Sequence, residues 1–391
     1  MQTNKLLAVF GTAVLFATVA FTLVSSPPAQ AQEHSIFTAL YSFTDGTDGG
    51  NPYGTLVRDA KGNLYGTTRG GGTFGFGSVF KVDVRGRQTV LHSFGNNAGD
   101  GTDPLEGVVL DAAGNLYGTT SSGGQGPGIG TVFKLDPAGT ETVLHSFGSS
   151  PDGELPVGIL LRDAQGSLYG VTVAGGAHHA GTVFTVDPTG KETVLYSFRG
   201  GADGFGPYGG LVMDAQGILY GTTNTGGTFD QGTVFKLDLD GHKTVLYNFG
   251  GADGEDPTGS LMRDAAGNLY GTTFFGGAFG QGTVFKLDPA GTETILHSFS
   301  GGADGGTPYA GVIGDAAGNL YGTTSEGGAY LWGTVFAVDP TGKETVLYSF
   351  SYDRDGARPY AGLMRTAAGA LYGVTAIGGR YQYGTVFRVT P

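Results

Sequence analysis

The sequence predicts an all-β protein, a seven-bladed β-propeller built from four-stranded antiparallel blades, and three observations carry that expectation. Leu-Tyr-Gly occurs seven times, with tyrosines at Tyr65, Tyr117, Tyr169, Tyr220, Tyr270, Tyr321 and Tyr372, spaced 52, 52, 51, 50, 51 and 51 residues apart. So regular a period means one supersecondary unit made seven times. Each period holds four short runs of β-branched and aromatic residues separated by Gly, Asp, Asn and Pro. Finally, the two ends of the chain carry complementary fragments of one period.

The fourth copy shows the elements in order. Pro207 to Asp214 is a first strand and Ala215-Gln216-Gly217 a turn. Ile218 to Thr223 is a second strand, followed by a loop from Asn224 to Gln231. Gly232 to Asp238 is a third strand, Leu239 to His242 a turn, and Lys243 to Phe249 a fourth strand. No helical periodicity competes with this pattern beyond the N-terminal leader. Four antiparallel strands in about 51 residues fit a propeller blade, whereas leucine-rich solenoids repeat every 20–29 residues or so. Phe37 to Phe43 matches a fourth strand, and the chain ends at Gly384 to Val389, which matches a third. Pairing the two completes the seventh blade and removes an open edge.

Residues 1–31 read as a signal peptide: Lys5, an apolar stretch from Leu6 to Val24, and the small-residue cut Ala29-Gln30-Ala31; the alternative is an uncleaved membrane anchor, since the apolar stretch is long enough to span. Residues 32–391 are then a single propeller domain, secreted to the periplasm, the exterior or the cell surface, with no membrane span left after cleavage. Cysteine is absent, which excludes a disulfide framework. Lys5 is the one charged residue before the cut, so cleavage takes the net charge from −13 to −14. That field argues against nucleic acid and anionic membrane as partners. Glycine is 76 of 391 residues, and its periodic placement assigns it to turns. A monomer without cofactor is expected.

The unit resembles the Gloeo/Verruco (GloVer) tandem repeat of secreted bacterial proteins. The residues that carry the likeness are Gly114 to Thr120, Gly123-Gly124, Gly130 to Pro137 and Thr142 to Phe147, blocks that recur in order along the mature chain. The Asp-x-x-Gly-Asn-Leu-Tyr block is also similar to NHL-type propeller repeats. The resemblance implies fold and export, and no reaction.

With strands numbered outward from the axis, the first–second and third–fourth turns share one face. Their Asp-Ala-Ala-Gly-Asn and Asp-Pro-x-Gly blocks read as hairpin scaffold. The other face carries the second–third loops, which share Gly-Gly and then diverge. They present Phe74, Phe76, His178, His179, Phe229, Phe279, Tyr330, Trp332, Tyr381 and Tyr383. Variable aromatic loops on a repeated scaffold are expected to bind a ligand, a glycan or a protein. The crossovers on that face carry Asp-Gly-x-x-Pro, with Asp48, Asp100, Asp152, Asp203, Asp253, Asp304 and Asp355. These could form an acidic ring at the channel mouth, but one acid per blade does not supply the several clustered oxygens a calcium ion needs. No metal is therefore expected.

His92, His145 and His297 alternate with Tyr41, Tyr196, Tyr247 and Tyr348 at one fourth-strand position, which points to packing. No nucleophile elbow, phosphate loop or zinc-protease helix occurs. The expected function is a non-catalytic binding propeller. The alternatives are a propeller lyase or hydrolase, which would need a unique polar cluster at the channel mouth, and a structural envelope protein.

Overall fold

The computed structural model describes residues 35–391; the leader and its cleavage site lie outside them. The described chain is all β apart from one short 3-10 turn, Gly201–Asp203. Seven sheets of antiparallel strands follow one another, and the seventh is completed by the N-terminal strand. Ile36–Ser42 pairs with Thr385–Thr390, with Ile36 opposite Thr390 and Ser42 opposite Thr385. Blade 1 begins at Val57–Arg58 and blade 7 at Met364–Arg365.

The Leu-Tyr-Gly-Thr-Thr strand works residue by residue. Its leucine enters the inter-blade core: Leu64, Leu116, Leu168, Leu219, Leu269, Leu320 and Leu371 are all 3% exposed or less. The tyrosine hydroxyl donates back to the aspartate of the preceding turn, as in Tyr117 to Asp111 at 3.1 Å and Tyr321 to Asp315 at 2.9 Å. The glycine leaves room for the third-strand phenylalanine; a Cβ on Gly170 would stand 2.5 Å from Phe184 Cζ. The last threonine shares a buried hydrogen bond with the third strand in every blade, 2.8–2.9 Å long, for example Thr223 with Thr233.

Blade-to-blade packing repeats just as regularly. The phenylalanine ending each fourth strand meets the third-strand phenylalanine of the next blade edge-on. The pairs are Phe43–Phe80, Phe94–Phe133, Phe147–Phe184, Phe198–Phe235, Phe249–Phe285, Phe299–Phe336 and Phe350–Phe387, with centroids 5.0–5.3 Å apart. Both members of each pair are fully buried. Seven links for seven blades close the ring, and the link from blade 7 to blade 1 uses Phe43 of the N-terminal segment.

Two local expectations are corrected. The first strand is shorter than the sequence suggests: most blades keep two residues, such as Met262–Arg263, and blade 3 alone has a long one, Gly153–Arg162. The inner segments touch each other around the axis through glycine, and a Cβ on Gly311 would lie 1.9 Å from the Ser260 carbonyl oxygen. In the fourth copy the second strand runs on to Thr225, into the expected loop.

The last copy has Thr366 where six others have the turn aspartate, so Tyr372 lacks the bond its counterparts make. Thr366→Asp is expected to restore it and to stabilise the protein by about 1 kcal/mol in urea unfolding. No gain would mean that the Tyr–Asp bond contributes nothing net.

Candidate ligand site at the axial mouth

The residue after each crossover proline begins the inner segment. In four blades it is tyrosine: Tyr53, Tyr208, Tyr309 and Tyr360. They form an aromatic arc. Tyr53 stacks on Tyr360 at 5.3 Å, Tyr360 meets Tyr309 edge-on at 5.3 Å, and Tyr309 meets Tyr208 at 5.8 Å. The Tyr309 hydroxyl donates to that of Tyr208 at 2.6 Å. Phe274 backs Tyr309 at 5.8 Å, and the Arg69 guanidinium lies 5.9 Å from the centre of the Tyr53 ring.

Opposite the arc stands Glu106. It occupies the next position, where the other six copies have Gly54, Gly158, Gly209, Gly259, Ala310 and Ala361. Glu106 and Tyr309 border two spaces. One is an outer vestibule of about 210 Å³ with Tyr53, Arg69, Leu105 and Tyr208. The other is an axial cavity of about 320 Å³, lined further by Thr55, Ile159, Ser260 and Tyr360. Glu106 is the sole acid lining either space. Glu106 is partly exposed and stands between the walls of both spaces. Desolvation pushes its carboxyl up to about 8, against the pull of the Gly107 N–H. Burial also raises Tyr208 and Tyr309, with a further push from the charge of Glu106.

The sign of the resulting pH effect is fixed. Above about 4.5 the carboxyl ionises in the unfolded chain, while in the folded state it stays protonated up to about 8. The folded state therefore binds the extra proton across that window, and stability falls as pH rises. Burial pushes Glu192, Glu293 and Glu344 the same way, so the wild type must be compared with Glu106→Gln. The variant is expected to match wild type near pH 4.5 and to exceed it at pH 8 by a few kcal/mol. Parallel melting curves across the window would mean that Glu106 is solvated.

The loop residues expected to bind lie farther out on the same face. Phe74, Phe76, Phe229, Phe279, Tyr330, Tyr381 and Tyr383 are 38–62% exposed. His178 and His179 are exposed at a loop tip. Trp332 is half-buried, 4.7 Å from Tyr352 and 6.0 Å from the Arg358 guanidinium. None of these lines the vestibule or the axial cavity. They are joined to the axis through backbone: Asn51, Asp103 and Arg358, each just before a crossover proline, donate their N–H to the carbonyls of Tyr383, Phe76 and Trp332.

The crossover aspartates do not ring the mouth. Each turns outward to the end of a fourth strand: Asp203 accepts from the Arg199 N–H at 2.8 Å and Asp355 from the Ser351 N–H at 2.8 Å. Each also meets the fourth-strand Tyr or His. Tyr41 donates to Asp48 at 2.8 Å, Tyr348 to Asp355 at 2.9 Å, and His145 Nε2 lies 3.1 Å from Asp152. The Tyr/His alternation is thus an exchange of partners for one carboxylate.

The axial residues carry no local motif, since Tyr208 lies within the run Pro207 to Asp214 and reads there as part of a first strand. Aligning the inner segments position by position exposes Glu106 as the single departure from Gly or Ala.

Comparison with known proteins bears on the fold. The chain is 12% identical to the extracellular domain of a protein described as a hybrid two-component system from B. thetaiotaomicron, with a TM-score of 0.59 over 90% of this chain and 40% of that one. A second structure, described as a one-component system from the same organism, gives 14% identity and a TM-score of 0.56 over 91% and 42%. The chain spans about two-fifths of the length of these domains, and the likeness is one of fold alone. A gluconolactonase from Xanthomonas campestris is 13% identical, with a TM-score of 0.47 over 91% and 89% of the two chains. No curated protein matches. Among the described residues no helix is long and apolar enough to cross a membrane. The model of the Gloeobacter/Verrucomicrobia repeat matches residues 29–228 and again 207–391. With the repeat covering the propeller from end to end, the chain belongs to the Gloeobacter/Verrucomicrobia repeat family.

Proposed function

We propose that this chain is an exported binding propeller that takes a neutral, hydroxyl-rich ligand, the end of a glycan, into its axial mouth. The observation that carries the reading is the pairing of a four-tyrosine arc with one lone carboxyl, Glu106, at the place where the copies depart from each other. Tyrosine faces suit the C–H faces of a sugar ring, and their hydroxyls suit its oxygens. A Glu106 held neutral near pH 7 both donates and accepts a hydrogen bond, and presents no charge that would demand a cation. The two spaces together fall at the lower end of the roughly 300–1,000 Å³ range of small-molecule sites, which limits the occupant to about one sugar unit. The exposed loop aromatics then contact the remainder of the glycan or the surface that bears it. A thermal-shift and calorimetric screen against neutral oligosaccharides, acidic oligosaccharides and peptides tests this. Binding confined to neutral sugars is expected; binding confined to peptides would contradict it.

Glu106 also favours a second reading. A carboxyl titrating near 8 is poised as a general acid or base at neutral pH. Glycoside hydrolysis ordinarily uses two carboxylates, and no second one lines either space. Catalysis would therefore be an eliminative cleavage of a uronate-bearing glycan: ionised Glu106 takes the proton beside the uronate carboxyl, a C=C bond forms, and the glycosidic C–O bond breaks as a tyrosine hydroxyl protonates the leaving oxygen; an unsaturated product from wild type but not from Glu106→Gln would establish it.

A further inference from the structure

At every blade junction the fold brings three positions together near the rim. They are the fourth-strand Tyr or His of one blade, the crossover aspartate, and the first residue of the next blade's fourth strand. The occupants of the third position differ. Lys243 pairs with Asp203 at 2.9 Å, Gln88 donates to the Asp48 carbonyl, and Phe37 stacks on Tyr348. These three are satisfied by charge, hydrogen bond or ring contact, whereas Glu192, Glu293 and Glu344 at the same position each keep a buried carboxylate oxygen without a partner.

Among the described residues, the junction of blades 1 and 2 is the one where all three residues carry such a buried, unpartnered atom. His92, Asp100 and Glu141 meet there with side chains 8%, 0% and 11% exposed. Asp100 Oδ2 accepts the backbone N–H groups of Gly95 and Asn96 at 2.8 and 3.1 Å. His92 Nε2, Asp100 Oδ1 and Glu141 Oε1 are all buried without a hydrogen-bond partner. Nε2 stands 3.4 Å from Asp100 and 3.8 Å from Glu141, too far for good hydrogen bonds. A buried imidazole and two buried carboxylates left in this state carry a substantial free-energy cost.

The spacing fits a shared ion. Donors at about 2.0–2.2 Å from a tetrahedral zinc stand roughly 3.3–3.6 Å from each other, close to the distances found. One imidazole nitrogen with two carboxylates is a donor set for zinc and similar divalent transition ions. The free second carboxylate oxygens can supply the remaining coordination. We infer that His92, Asp100 and Glu141 form a binding site for a divalent transition-metal ion of the zinc class, which staples blade 1 to blade 2. His145, Asp152 and Glu192 repeat the residue types at the next junction, but His145 is already 3.1 Å from Asp152, so the first junction is the stronger site. Each crossover aspartate stands alone in its own repeat. The histidine and glutamate that join Asp100 come from two different blades.

The test uses Zn²⁺ alone with the tag-free chain, in competition with a chromophoric chelator and with melting followed in parallel. Wild type is expected to bind one tight equivalent and to melt at a higher temperature with it. His92→Tyr installs the residue that four other blades carry at this position, so it should keep the metal-free melting temperature while losing about ten-fold or more in affinity. Glu141→Gln, after Gln88 of blade 1, gives a second variant should the first fold poorly, and the same loss is expected. Absence of zinc binding by wild type would overturn the inference. So would full binding by both variants, or loss of the tight site on changing the exposed His242 or the His178–His179 pair instead.

Discussion

Removal of residues 35–43 should abolish the single cooperative unfolding transition and turn the protein into a mixture of oligomers. The segment supplies the fourth strand of blade 7, paired with Thr385–Thr390. It also supplies Phe43, fully buried against Phe80 in the core between blades 7 and 1, and Phe37, stacked on Tyr348 at 4.1 Å. Truncating one such buried phenylalanine costs about 3–5 kcal/mol. The deletion removes that packing together with a strand of ladder bonds, and exposes the edge of Thr385–Thr390 to other chains. The milder Phe43→Ala should lower stability by about 3–5 kcal/mol while leaving a monomer. Size-exclusion chromatography and thermal melts decide both cases. A deleted chain that stays monomeric with an unchanged melting point would mean that the ring does not depend on its N-terminal strand.

The second large effect falls on the glycine of Leu-Tyr-Gly. Gly170 has ordinary backbone geometry, but a Cβ there would meet Phe184 Cζ at 2.5 Å and Leu160 Cδ2 at 2.9 Å. Gly170→Ala should therefore cost about 1–3 kcal/mol by overpacking. Phe184→Leu alone leaves a gap and is also costly. Together they should cost less than the sum, because the smaller ring-less side chain admits the new methyl. A coupling of about 1 kcal/mol in a double-mutant cycle is expected. Strict additivity would show that the glycine serves something other than the phenylalanine.

These two results concern what the sequence already made legible. The complementary fragments Phe37 to Phe43 and Gly384 to Val389 announce ring closure, because a strand missing at one end and spare at the other have one use. Repetition also exposes the Leu-Tyr-Gly-Thr-Thr strand, since hairpin partners lie within one period. What stayed hidden depends on contacts between periods. Glu106 differs from its six counterparts by one residue, and its meaning appears only when seven inner segments converge on one axis. His92 and Glu141 sit 49 positions apart on separate blades, and they meet Asp100 only when those blades dock. The close approach of Gly311 to Ser260 across a blade boundary was hidden for the same reason.

The claim that binding is centred on the axis, and not on the outer loops, is tested most directly by comparing two double variants on a glycan array. Tyr309→Phe with Glu106→Gln removes the axial hydroxyl and carboxyl but keeps their shapes. Tyr330→Ala with Trp332→Ala removes exposed and half-buried rings of one loop. The account predicts that the axial pair abolishes binding of neutral glycans and that the loop pair weakens it by less than ten-fold, about 1.4 kcal/mol. Full binding by the axial variant, with loss in the loop variant, would contradict it.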